Sequence, residues 1–127
     1  MYGPFDKQLE LRDGTAAAIT ATTAGTALAF AATMAGEFKA VFAVSALDAT
    51  TGNETYVLSI ETDSSTAFAS PTEIGALTVT AAGVYELPLS KWQIIPFDAA
   101  AAAIRCKATL GGTTPSLSYG CWLVPHD

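Results

Sequence analysis

The feature that most constrains this chain is a two-residue alternation that runs through its middle. From Glu37 to Leu47, Phe38, Ala40, Phe42, Val44 and Ala46 share one parity, against Glu37, Lys39, Val41, Ala43 and Ser45. From Glu54 to Asp63, Tyr56, Leu58 and Ile60 stand against Thr55, Ser59, Glu61 and Asp63. Successive side chains of a strand point to opposite faces, so both runs read as strands with one face in a core and one in water. The intervening Asp48-Ala-Thr-Thr-Gly-Asn53 is a string of turn formers. Glu37 to Asp63 therefore predicts a long β-hairpin at the centre of an all-β domain.

The flanking segments extend this pattern. Residues 1–7 carry Tyr2 and Phe5 around Gly3-Pro4 and read as an N-terminal arm, with residues 8–127 forming the folded domain. Gln8 to Arg12 is a short strand with Leu9 and Leu11 inward. Ala16 to Thr33 is Thr-rich and predicts two strands with a break near Gly25, a helix over Ala27 to Ala35 being the alternative. Phe68, in the loop from Ser64 to Pro71, is expected to plug one edge of the core. Leu77 and Val79 lead through Ala81-Ala82-Gly83 to Tyr85, Leu87 and Leu89, which suggests a hairpin pairing Val79 with Tyr85. Pro88 marks the return strand as an edge or a bulge. Lys91 to Phe97 reads as a corner carrying Trp92, and Asp98 followed by five alanines as a possible helical cap. Ile104 to Leu110 and Ser116 to Val124 alternate as strands around a Gly111–Ser116 turn. In the last strand Leu117, Tyr119, Cys121 and Leu123 share a face, with Trp122 and Val124 on the other, and Trp122 is expected to be covered by another segment or a partner. Short, regularly spaced strands with turn signals between them predict a single-domain β-sandwich or jelly roll of about eight or nine antiparallel strands.

Composition narrows the function classes. At 127 residues the chain makes one domain. Twelve acidic against six basic side chains give a formal net charge of −6, and the bases are scattered, so the electrostatic footprint of a nucleic-acid binder is missing. Met1 to Asp6 lacks the basic start and apolar run of a signal peptide, and the uncharged stretch from Thr15 to Gly36 is too rich in Thr and Gly for a membrane span. The expectation is a protein made in the cytoplasm, with no membrane element and no nucleic acid.

Candidate chemistry is sparse. Cys106 and Cys121 would face each other if the last two strands formed a symmetric hairpin, but the expected compartment favours two buried thiols over a disulfide. The single His, His126, lies at the end of the sequence, without the partners of a hydrolytic triad or a zinc site. Glu61, Asp63, Glu73 and Glu86 read as solvated strand carboxylates rather than a glycosidase pair. Asp48 to Glu54 lacks the ligand spacing of a calcium loop. Gly111-Gly112 has no Lys or helix start after it and reads as a turn. No catalytic residue, cofactor or metal is expected, and the chain does not read as an enzyme. A sugar-binding platform would have to draw on Trp92, Tyr119 and Trp122.

Several stretches resemble the small jelly-roll cement, or decoration, proteins of tailed bacteriophage capsids. They are Tyr56-Val-Leu-Ser-Ile-Glu-Thr-Asp-Ser-Ser65, Phe68 in its loop, Ala82-Gly-Val-Tyr-Glu-Leu-Pro-Leu89, Ile104-Arg-Cys-Lys-Ala-Thr-Leu-Gly-Gly112 and Thr114-Pro-Ser-Leu-Ser118. Together they span about the last two-thirds of the chain, while Lys91 to Phe97 and Asp98 to Ala103 depart from the pattern. The resemblance implies a virion protein on the outer capsid surface that bridges subunits of the major capsid protein and acts as a homo-oligomer, a trimer ahead of a dimer. Tyr2, Phe5 and Trp122 are the expected protein contacts, because aromatic side chains concentrate in interface cores. A tail-fibre or carbohydrate-binding jelly roll is the alternative.

Overall fold

The computed structural model describes residues 10–25, 28–29, 38–89 and 103–125. Within them run nine strands: β1 (Glu10–Arg12), β2 (Thr23–Ala24), β3 (Leu28–Ala29), β4 (Phe38–Leu47), β5 (Thr55–Asp63), β6 (Thr72–Val79), β7 (Gly83–Leu89), β8 (Ala103–Gly111) and β9 (Leu117–Pro125). The arm with Tyr2 and Phe5, the Lys91–Phe97 corner with Trp92, the Asp98 cap and His126 lie outside the described residues. So does most of the alternative helix, although Leu28–Ala29 within it is strand.

The strands form two antiparallel sheets, β1-β9-β4-β7 and β2-β8-β5-β6. β5 pairs along the whole of β8, so β2 and β3, which also pair with β8, are two pieces of one strand on its other edge. The pairing is nested. β5 pairs with β6 across the Ser64–Pro71 loop, β4 with β7, β2 and β3 with β8, and β1 with β9. A chain doubled back at one loop and then rolled so that alternate strand pairs enter opposite sheets is the jelly roll, the expected fold.

The expected connections differ from those observed. The hairpin from Glu37 to Asp63 does not form, because β4 lies between β9 and β7 in the first sheet while β5 lies between β8 and β6 in the second. The Val79–Tyr85 hairpin and the symmetric pairing of Cys106 with Cys121 fail in the same way, since β6 and β7, and likewise β8 and β9, belong to different sheets. Alternation dictates which face is buried, and an arch between two sheets buries the same faces as a hairpin does. Which edge pairs is decided by competition: both edges of β4 are taken by the more distant β7 and β9, and those of β5 by β6, which follows it, and the distant β8. β7, carrying Pro88, is an edge strand as expected.

The two arches at one end of the sandwich are tied to each other. The buried Tyr56 hydroxyl donates to the Asp48 carbonyl (2.5 Å) and accepts from the Ser116 amide (3.0 Å), and the Asp48 amide donates to the Ser116 carbonyl. Asn53 and Thr113 exchange two further hydrogen bonds. Gly112 sits at φ 99°, and a Cβ there would lie 2.6 Å from the Glu54 Cα, so only glycine lets the loops approach this closely.

The core between the sheets includes Leu11, Ala40, Phe42, Val44, Tyr56, Leu58, Ile60, Ile74, Val79, Ile104, Cys106, Ala108, Leu117, Tyr119, Cys121 and Leu123. Each fully buried large side chain contributes about 1.5–3 kcal/mol relative to exposure. The expected inward face of β4 ends early. A register shift between Val44 and Ala46 turns Ala46 to solvent.

Candidate functional site

The largest departure from simple alternation lies at the end of β5. Ser59, Glu61 and Asp63 were expected in water, yet all three are buried, and so is Thr62. Register explains what covers Glu61: across β8 it stands opposite Arg105, with Lys107 one outward position along. Arg105 Nε donates to Glu61 Oε1 at 2.9 Å, and Lys107 Nζ lies 3.9 Å from Oε2. The Glu61 side chain keeps only 8% of its surface exposed, so this pair is desolvated well beyond an ordinary surface salt bridge.

The loop after β5 closes over the same place. Asp63 accepts from the Ser64 amide (2.6 Å) and, with its second oxygen, from the Ser70 amide (2.9 Å), so one carboxylate holds both ends of the loop. These backbone donors, Ser70 first and then Ser64, hold its pKa below the ordinary aspartate range. Between them Phe68 adopts φ 51°, a left-handed conformation that costs a non-glycine residue about 1–2 kcal/mol. The strain is offset by packing: Phe68 is buried, with the Arg105 guanidinium 4.3 Å from its ring centre. Phe68 thus lies apart from the inter-sheet cluster. It fills the outer face of the second sheet rather than plugging a core edge.

A second constellation lies inside the sandwich, where its two sheets meet at the β1 and β2 edge. Cys106 and Cys121 are both buried free thiols, in agreement with the expected chemistry. They belong to opposite sheets, β8 and β9, and their side chains are neighbours in the shared interior. The Cys106 thiol also reaches the Leu11 carbonyl (3.8 Å) and the Tyr119 hydroxyl (3.5 Å). Burial pushes Cys121 well above the ordinary thiol range and raises Tyr119. Cys106 lies lower than Cys121, because the hydrogen bond from Cys121 favours its thiolate. Arg12 stands over the Tyr119 ring (4.8 Å) and donates to the Tyr119 and Ala17 carbonyls. Arg12, Asp13, Ala16, Ala24 and Gly25 line a cleft of about 300 Å³.

Of the aromatic residues singled out from the sequence, Tyr119 is interior and offers no surface for a sugar. Trp122 lies on the outer face of β9, half-buried, in register with Glu10 and Val41. On the same outer face Val41 and Val124 have no exposed surface, Lys39 and Glu86 form an ion pair at 2.7 Å, and Val84 is 42% exposed. Among the described residues no three His, Cys, Asp or Glu side chains converge as metal ligands. The Glu61–Arg105 pairing was invisible in the sequence, because it depends on β8 lying beside β5. No protein-family model matches this chain, and no curated protein matches it by sequence.

Proposed function

We propose that this chain is a structural virion protein that binds the outer surface of a phage head and stabilises the lattice of the major capsid protein. One observation carries the reading. Three of the stretches that resemble capsid cement proteins, the acidic end of β5, the Phe68 loop and the basic strand β8, converge on a single packed unit. Its charged groups are engaged with one another and with backbone amides, which rigidifies a surface and leaves no poised acid, base or nucleophile there. Rigid surfaces lose little freedom on docking, so more of the contact energy appears as affinity. The half-buried Trp122 and exposed Val84 place apolar area on the opposite outer face, where a capsid subunit or a second copy would bind.

Cement action needs no chemistry. A protein that binds only the assembled lattice stabilises it by mass action, and a homo-oligomer, trimer ahead of dimer, multiplies weak sites into firm attachment. The decisive experiment is quantitative mass spectrometry of purified virions, comparing copies of this chain with copies of the major capsid protein. A ratio near one, or a simple lattice fraction, is expected. A handful of copies per particle would replace the cement role with a tail or fibre role, and absence from virions would overturn both.

A further inference from the structure

The two thiols lie on the facing inner sides of the two sheets. Cys106 is on the inner face of β8, beside Ile60 of β5, and Cys121 is on the inner face of β9, beside Phe42 of β4. Joining them would cross-link the two sheets directly, which no backbone ladder among the described residues does. Cys106 also sits beside a short edge segment of the second sheet. β2 contributes two residues to its ladder, and the Gly25 amide next to it donates to the Cys106 carbonyl. A Cβ on Gly25 would lie 2.6 Å from the Cys106 sulfur, so the Gly25 backbone, which lines the cleft with Arg12 and Asp13, packs directly on that thiol. Short edge segments open locally at far lower cost than the whole fold.

We infer that Cys106 and Cys121 form an oxidisable site in which hydrogen peroxide, entering by the Gly25 cleft, converts the thiol pair into a disulfide linking the two sheets. Cys106 reacts first, being the thiol under the cleft. Its sulfur attacks one peroxide oxygen, the O–O bond breaks, and the departing hydroxide takes the thiol proton, leaving a sulfenic acid and water. The Cys121 sulfur then attacks the sulfenic sulfur and displaces its hydroxide, which leaves as a second water with the Cys121 proton. The two thiols are oxidised by two electrons, and the peroxide is reduced to two waters. The product closes a short loop through Gly111–Ser116 and restricts the unfolded chain.

The test uses the full chain, reduced and then exposed to hydrogen peroxide under native conditions. Alkylation after denaturation is expected to find both thiols lost, with a mass decrease of two hydrogens in a monomeric chain. Trypsin cuts after Arg105 and Lys107, so the Cys106-Lys107 dipeptide should be attached to the Cys121 peptide until reductant is added. Tm is expected to rise by about 5–15 °C and to return on reduction. In Cys121→Ser, oxidation should stop at a Cys106 sulfenic acid that dimedone traps. In the wild type, three results would each overturn the site: thiols that stay reduced in folded protein, oxidation no faster than global unfolding, or bonds formed only between chains.

Discussion

The outer faces of the two sheets are sealed by opposite means. On the second sheet, Glu61 and Asp63 are buried under Arg105, Lys107 and the Phe68 loop, so the cover is built from charge, backbone amides and one strained aromatic residue. On the first sheet, Val41 and Val124 have no exposed surface and the half-buried Trp122 stands beside them, with one ion pair, Lys39–Glu86, on the same face, so this face is mainly apolar. A polar cover is tightly specified, because each buried charge must find its partner or destabilise the fold. An apolar cover is tolerant of exchange, since Val or Trp can meet a segment of the same chain or a partner's surface with similar gain. The second sheet's outer face therefore depends mostly on directional contacts, and the first sheet's mostly on non-directional ones.

The largest effect that would break this contrast is expected from Arg105→Ala. It leaves Glu61 buried with Lys107 3.9 Å away as its remaining cation and removes the guanidinium from the Phe68 ring. The expected loss is about 2–4 kcal/mol in guanidinium unfolding, partly recovered in the double variant with Glu61→Gln. A loss under about 1 kcal/mol would reduce the cluster to an ordinary surface pair. Val41→Ala is the counterpart on the first sheet, with an expected cost of about 1–3 kcal/mol through lost burial and the space left behind. A negligible cost there would mean that the apolar cover is loose, and would remove half of the comparison.

The same contrast explains what the sequence disclosed. The all-β class, the core parities of β4, β5 and β9 and the burial of both cysteines follow from alternation and composition, which are local. Sheet membership is not local. Asp48–Glu54, Ala81–Gly83 and Gly111–Ser116 have the composition of hairpin turns and serve as arches or corners between sheets, because long-range pairing of first strand with last outcompetes neighbouring strands. The buried acidic end of β5 was unreadable for the same reason: a strand of outward Ser, Glu and Asp looks solvated until Arg105 is known to stand opposite Glu61. The thiol pair was recognised as a pair, but its cross-sheet geometry required the arch.

The smallest expected effect is also the most selective, because it depends on titration of the polar cover. The Asp63 carboxyl is held below the ordinary aspartate value of 3.8 by the Ser70 and Ser64 amides. A group whose pKa is lowered by folding stabilises the folded form above its unfolded pKa, and that contribution is lost as pH falls through the folded value. Lowering pH below about 4 should therefore release the loop between Ser64 and Ser70, while Val41 and Val124, which carry no titrating group, stay protected. Hydrogen exchange should show the Ser64 and Ser70 amides quickening on acidification, along with Thr50, whose amide donates to the similarly lowered Asp48. Asp63→Asn should remove the acid dependence at Ser64 and Ser70 and leave that of Thr50 in place. If the Val41 amide loses protection over the same pH range, the two covers are one cooperative unit, and the second sheet's outer face cannot open while the first sheet's remains closed.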